Sequence, residues 1–235
     1  MDGVRKRPRG TTKKLYKLKV SNNPYVMALK GTPYGSSIPR SLSTSSELKV
    51  ADLAGLNLAI TTAGTVTLIN GIATGTDINN RVGRKVVMKS LVFNVNNFPV
   101  AATANALQGI MLRHMIIYDS QPNSAGTVPA VTDILEAATT LSPLNLNNRD
   151  RFRVIYDKRS QIGSFFINAT PNLVGGAPQN VFWSKYRKLN HEVIFSGTGA
   201  TIASISSGAM YILFIGDFNS VAQTDFHTRI RFTDA

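Results

Sequence analysis

From residue 65 onward, apolar and polar positions alternate in short runs bounded by Gly, Asn, Pro and Ser. That period of two belongs to strands, not to helices with their repeat near 3.6 residues. Eight runs read as strands: 65–71, 83–95, 107–119, 151–158, 163–169, 188–196, 209–217 and 226–234. In the fourth, Arg151, Arg153 and Ile155 fall on one face and Phe152, Val154 and Tyr156 on the other. In the last, His227, Arg229 and Arg231 oppose Phe226, Ile230 and Phe232, with Thr228 a polar member of the second face. One apolar and one polar face predict antiparallel sheets with a single buried side. Helix signals are confined to residues 131–140, where Asp133 is placed to cap and Glu136 follows three residues later. Eight antiparallel strands with unequal connections predict an all-β fold, a single eight-stranded jelly roll of two packed sheets.

The first 45 residues follow a different grammar. Residues 21–46 hold Pro24, Pro33 and Pro39 among Ser, Gly and Asn, a composition that disfavours helix and marks a tether. Ahead of it, eight of the first twenty residues are Lys or Arg, opposed only by Asp2. The division expected is a basic, Pro/Ser-rich arm over 1–45 and a jelly-roll domain over 46–235.

Charge sharpens that division. Residues 1–40 hold ten Lys/Arg against one acid, a net of +9. Residues 41–235 hold sixteen against twelve, which supplies the other +4 of the total +13. A dense block of one sign stays extended until a polyanion neutralises it, and Lys or Arg meeting phosphate releases condensed counterions. Arg5, Lys6, Arg7, Arg9, Lys13, Lys14, Lys17 and Lys19 are therefore the candidate nucleic-acid-binding residues. Arg5-Lys6-Arg7-Pro8-Arg9 also fits a nuclear import signal. Tyr16, between Lys14 and Lys17, either stacks on an unpaired base or begins the docking of the arm on its own domain. A basic arm reads phosphate and not sugar, so it does not choose between DNA and RNA.

Several chemistries find no support. Without cysteine there are no disulfides and no thiolate metal sites. No apolar run approaches the ~18 residues of a membrane span, and no apolar leader region follows the basic start. His114, His191 and His227 lie singly in predicted strands with no metal-binding spacing, and read as sheet histidines. No nucleophile elbow or phosphate-cradling Gly-Lys motif is present. Asp150 and Asp157 sit among Arg149, Arg151, Arg153, Lys158 and Arg159, which predicts ion pairing. Asp119, Asp133 and Asp217 could gather oxygen ligands for calcium between subunits, a minor reading. Asn168-Ala-Thr170 matches a glycosylation acceptor that is idle without a secretory route. No catalytic residue and no cofactor is assigned, and the expectation is a non-enzyme.

Several segments taken in order resemble one family. They are Arg81–Val95, a strand opening Arg-Val-Gly-Arg-Lys; Met111–Glu136, a strand ending Tyr-Asp-Ser-Gln-Pro-Asn and a short Asp-Ile-Leu helix; Arg151–Arg159; and the final Arg-Ile-Arg-Phe-Thr-Asp. The set is similar to the capsid proteins of small circular Rep-encoding single-stranded DNA viruses, narrowly those whose capsid is similar to that of satellite tobacco necrosis virus. The resemblance covers residues 65–235, and the arm here is shorter and richer in lysine than many relatives carry. It implies a jelly roll that self-assembles into a small icosahedral shell around circular single-stranded DNA, with a nuclear stage during assembly. It leaves the cell-surface receptor unnamed. Arms of +9 in about sixty copies would place on the order of five hundred positive charges inside.

Two alternatives remain at this level: a cellular nucleic-acid-binding module with a basic arm, and a jelly-roll lectin or receptor-binding protein. Two basic clusters in the domain bear on the choice, Arg81/Arg84/Lys85/Lys89 and Lys185/Arg187/Lys188. Each either faces the genome or pairs with acids of neighbouring subunits, and Arg81 and Arg84 at a strand start read as structural ion-pair residues. Apolar residues of the long links 120–150 and 170–187 (Val128, Val131, Ile134, Leu135, Leu141, Leu144 and Val174) are expected at interfaces between copies.

Overall fold

The computed structural model describes residues 47–100, 109–123, 126–163 and 180–234. Nine strands occur among them: β1 (Leu48–Ala59), β2 (Thr65–Leu68), β3 (Lys85–Pro99), β4 (Ile110–Asp119), β5 (Phe152–Ile162), β6 (Val181–Phe195), β7 (Ile205–Ser207), β8 (Ala209–Gly216) and β9 (Ala222–Asp234). They form two antiparallel sheets, a five-stranded one in the order β1-β9-β3-β6-β7 and a four-stranded one in the order β2-β8-β4-β5. Neighbours far apart in sequence and two curled sheets make this the expected jelly roll, with one strand more than the sequence suggests.

The main core lies between the sheets. Phe93, Trp183 and Phe226 of the five-stranded sheet meet Phe214 and Tyr211 of the four-stranded one. Phe93 and Trp183 pack edge to face with centroids 5.0 Å apart, the arrangement that aromatic quadrupoles favour. Every residue of β8 is buried, and the physical reason is a second layer. The chain between β4 and β5 folds back over the outer side of the four-stranded sheet. There Ile134 and Leu135 pack on Met115, Ile117, Leu213 and Ile215. A strand covered on both faces reads as a continuous apolar run, which is what Ala209–Ile215 shows.

The predicted helix 131–140 shrinks to one turn, α1 (Val131–Ile134). The Asp133 carboxylate accepts from Ala130 N at 2.8 Å. Leu135 then turns extended, at φ −108° and ψ 150°, and bridges Leu144 in antiparallel register. Fully burying a Leu side chain is worth roughly 1.5–3 kcal/mol, more than continuing a short helix in Ala- and Thr-rich sequence offers. The same burial corrects the interface expectation for this link. Ile134 and Leu135 cover their own sheet, and Val131 packs beside them, while Val128, Leu141 and Leu144 are exposed. Val174 lies outside the described residues.

β1 is absent from the sequence reading. Its stretch, Leu-Lys-Val-Ala-Asp-Leu-Ala-Gly-Leu-Asn-Leu-Ala, has a single β-branched residue. It is a strand because β9 supplies a partner along almost its whole length, from Leu48 opposite Thr233 to Ala59 opposite Gln223. A bulge between Gly55 and Leu58 places Asn57 at φ 54°. A Cβ on Gly55 would collide with the Phe226 ring, so glycine is what lets that ring reach the core. The sixth run begins earlier than expected, because β6 takes in residues 181–187 that read as connection. Of the predicted strand 163–169, Gly163 is irregular and the rest lies outside the described residues.

Candidate nucleic-acid and assembly surfaces

The arm residues Arg5, Lys6, Arg7, Arg9, Lys13, Lys14, Lys17 and Lys19, and Pro8 of the import motif, lie outside the described residues. The cations of the folded domain divide into three kinds by what surrounds them.

The first kind is internal. Arg81, just ahead of β3, is 1% exposed. Its Nε donates to Ile72 O at 3.1 Å and its Nη1 to Gly83 O at 2.8 Å, while Nη2 donates to Gly197 O. The guanidinium lies 4.1 Å over the Phe195 ring. Burial lowers its pKa, partly offset by Asp234. Arg84 Nε donates to Phe195 O at 3.2 Å, and Lys85 pairs with Glu192 at 2.8 Å on the surface. Arg81 and Arg84 are thus structural, as the sequence suggests, but through carbonyl oxygens rather than carboxylates. Arg113 is the second internal arginine. It forms a bidentate pair with Asp157 at 2.9 and 2.6 Å and also donates to Ser142 O at 2.6 Å. Arg151 grips the fully buried Asp119 through two bonds of 2.9 Å. Paired planar groups of this kind fix geometry as well as charge. Asp157 therefore does pair, but with an arginine of β4 outside its own Arg-rich segment.

The second kind lies on the outer face of the five-stranded sheet. The register of β9 with β3 and β1 places His227, Arg229 and Arg231 there together with Asp52, and Arg229 holds Asp52 at 2.8 and 2.7 Å. β6 adds Phe182 (69% exposed) and Tyr186 (61% exposed) to the same face. Lys188 and Lys89 are exposed beside them. This is a mixed basic and aromatic surface of the kind that neighbouring copies cover.

The third kind faces inward at an edge. Lys185, half-buried, and Arg187, exposed, stand in register with the core residues Phe93 and Leu91, which places them on the core-facing side of β6 at its edge, away from Lys188. Opposite them on β5 a bulge at Ile155 corrects the sequence reading of that strand. Arg153 pairs with Tyr118 and Tyr156 with Ile116, so both fall on one face, while Phe152 and Val154 fall on the other. Simple alternation places Arg153 and Tyr156 apart. A one-residue insertion leaves no mark in the polarity pattern, which is why this grouping is not legible in the sequence.

The histidines have no catalytic geometry among the described residues. His114 is fully buried against Trp183 and Phe214 at 5.6 and 5.2 Å, and its Nε2 bonds Asn97 Oδ1 at 3.0 Å. Burial first, and then the Lys158 charge, pull its pKa down to about 3, so it stays neutral near pH 7. His191 stacks on Tyr118 at 4.7 Å, and burial and then Arg153 lower its pKa. Asp119, Asp133 and Asp217 go to separate partners, namely Arg151, Ala130 N and Met111 N. Among the described residues no three acidic or histidine side chains gather as a metal site, and no helix is long and apolar enough to cross a membrane. The exposed Leu141, Leu144 and Leu146 form the apolar part of the β4–β5 link, candidate contact area for a neighbouring copy.

Comparison with known proteins agrees with this architecture. The coat protein of Maize white line mosaic Satellite virus is 26% identical over 200 residues, covering 83% of this chain and 84% of the relative. The coat protein of Satellite tobacco necrosis virus 2 is 25% identical over 181 residues, covering 74% and 80%. A chain from the structure of infectious bursal disease virus Gx strain overlays with a TM-score of 0.24 at 9% identity, over 80% of this chain and 36% of that one; likeness that low carries no argument. The family described as satellite tobacco necrosis virus coat protein matches residues 35–235, and the chain belongs to that family: it is a viral coat protein, with a structural part in a capsid.

Proposed function

We propose that this coat protein closes into a small icosahedral shell of about sixty copies and packages circular single-stranded DNA through its basic arm. The observation that carries the packaging role is the charge asymmetry: +9 of the net +13 sits in residues 1–40. The two sheets of the jelly roll are built from strands within Leu48–Asp234, beyond that block. Like-charged arms held together repel, and packaged phosphate relieves that repulsion. Attraction of this kind is screened over about 8 Å at physiological ionic strength and about 3 Å at molar salt. Arg5, Lys6, Arg7 and Arg9, with Pro8, double as an import signal that brings the subunit to the host nucleus for assembly. The choice of DNA rests on the sequence resemblance to circular Rep-encoding viruses alone; nothing in the arm carries it, and neither does the matched family, whose relatives are satellite-virus coat proteins.

Two experiments test this reading. Electron micrographs of the purified chain should contain uniform closed shells, and the nucleic acid extracted from them should be degraded by DNase and resist RNase. Cargo with the opposite sensitivity would keep the packaging role and replace DNA by RNA. Deleting residues 1–20 should remove the cargo and leave the jelly roll folded. Unchanged cargo in the truncated protein would exclude the arm as the packaging element.

A further inference from the structure

Arg153, Lys158, Lys185 and Arg187 line one seam, where β5 at the edge of the four-stranded sheet meets β6 of the five-stranded one. The two strands hold each other's rings through their cations. Lys158 of β5 lies 4.5 Å over Trp183 of β6, and Arg187 of β6 lies 5.3 Å from the ring of Tyr156 on β5. Tyr156 and Trp183 are themselves 5.5 Å apart. Arg153 stands at the Tyr118–His191 stack, further along the same seam. The cations crowd each other: burial and then Lys185 lower the pKa of Lys158.

Among the described residues no carboxylate pairs with them. The ion pairs among the described residues use Lys49, Lys85, Arg113, Arg149, Arg151 and Arg229, and none uses a seam cation. The internal segments outside the described residues, 101–108, 124–125 and 164–179, contain no Asp or Glu. Among the described residues no acid lies within ion-pair distance of a seam cation. A row of uncompensated cations beside low-dielectric aromatic walls focuses a positive potential. At about 3.3 Å per residue, Arg153 to Lys158 spans roughly 15 Å, which suits a linear polyanion better than one small ion. The rings are committed to the core, Trp183 being 7% exposed, so bases cannot stack there and only phosphates can be read.

We propose that this seam binds the phosphate backbone of single-stranded nucleic acid, as a second contact for the cargo besides the arm. The proposal rests on the reading of the cargo as nucleic acid given above.

The test uses the full chain and fluorescently labelled twenty-nucleotide DNA and RNA strands of unrelated sequence, titrated across a salt series. Four proteins are compared: the unmodified chain, K185Q/R187Q, the arm variant K13A/K14A/K17A/K19A, and K89Q/R231Q, which loses the same charge from exposed positions off the seam. Two seam contacts should lower the log–log salt slope by about 1.4, at roughly 0.7 per phosphate, for every sequence alike, while K89Q/R231Q changes it by less than half as much. Since Arg187 touches Tyr156, a second measurement on the unmodified chain guards against misfolding. Acylation of Lys158 and Lys185, read by mass spectrometry, should fall when DNA is bound, with Lys89 unchanged. Equal slopes for the seam and off-seam variants, or unprotected seam lysines, would overturn the proposal. So would loss of binding to a heparin-derived sulfated oligosaccharide with oligonucleotide binding intact, which would make the seam a glycan site. An unchanged slope in the arm variant alongside a lowered one in the seam variant would sink the arm reading and leave the seam standing. Failure of the unmodified chain to bind either strand at low salt would overturn the nucleic-acid reading and the seam proposal together.

Discussion

Arg81 and Arg187 are both arginines beside an aromatic ring, and they do opposite things. Arg81 has its donors taken by three backbone carbonyls and its face by Phe195. Arg187 has a ring partner in Tyr156 and no carboxylate or carbonyl partner among the described residues. A buried charge persists only when its hydrogen bonds are satisfied, so Arg81 belongs to the fold. A cation left with unpaired donors at an edge holds binding capacity in reserve. Residue type does not separate the two roles; the acceptors around each guanidinium do.

The comparison breaks first at Arg81. Arg81→Met keeps a long side chain but strips donors from Ile72 O, Gly83 O and Gly197 O. Each orphaned buried acceptor costs about 1–3 kcal/mol, so a loss of about 4 kcal/mol is expected, read from denaturant unfolding of the dissociated subunit. A loss under about 1 kcal/mol would mean that the guanidinium is as dispensable as those of the seam. Asp157→Asn is the milder version. Arg113 keeps its bonds to Ser142 O and Thr140 O, and the Asp157 side chain is 30% exposed. A fully buried pair would cost 3–5 kcal/mol when broken, so about 2 kcal/mol is expected here.

A pH experiment sharpens the contrast between buried and edge groups. His114 takes up its proton at about pH 3 when folded, and near 6.5 when unfolded. Below 6.5 the unfolded chain binds more protons than the folded one, so stability is complete above that value and falls as pH drops toward 3. The slope approaches about 1.4 kcal/mol per pH unit, and the loss at pH 5 relative to pH 8 is about 2 kcal/mol. His114→Gln, which can still bond Asn97, should flatten the stability profile between pH 6.5 and 5. An unchanged profile would place the acid sensitivity in the carboxylates alone.

How much of this is written in the sequence depends on how local each cause is. β8 and β9 are legible because their polarity alone records which faces are covered. β1 is not, since Ala51 and Gly55 carry little strand preference and β9 supplies the reason for its conformation. The one-turn α1 defeats the cap signal at Asp133 because Leu135 is worth more buried against Leu213 and Ile215 than in a helix. The cluster Lys185/Arg187/Lys188 is visible as a cluster, but its division between seam and outer face comes from the β3 register. Arg153 and Lys158 lie in an Arg-rich segment that suggests ion pairing, and the bulge at Ile155 turns Arg153 and Tyr156 onto the same face instead. The arm, which holds most of the charge, is legible from composition because its proposed chemistry needs no fold.

The smallest expected effect is the most specific to the comparison. If the seam cations serve binding and not folding, removing one should not weaken the subunit. Lys185 has no ion-pair partner among the described residues, and its charge is one cause of the lowered Lys158 pKa. Lys185→Gln removes that repulsion and keeps most of the apolar stem. The unfolding free energy should stay within about 0.5 kcal/mol of the parent or rise slightly, and the Lys158 pKa should return toward that of an ordinary lysine. Lys185→Glu should go further, raising the Lys158 pKa through a new opposite charge while weakening oligonucleotide binding. The readouts are the denaturation midpoint and the pH dependence of Lys158 acylation. If Lys185→Gln instead cost as much as Asp157→Asn, Lys185 would be a structural cation like Arg81, and the distinction between the two sets would fail at its smallest member.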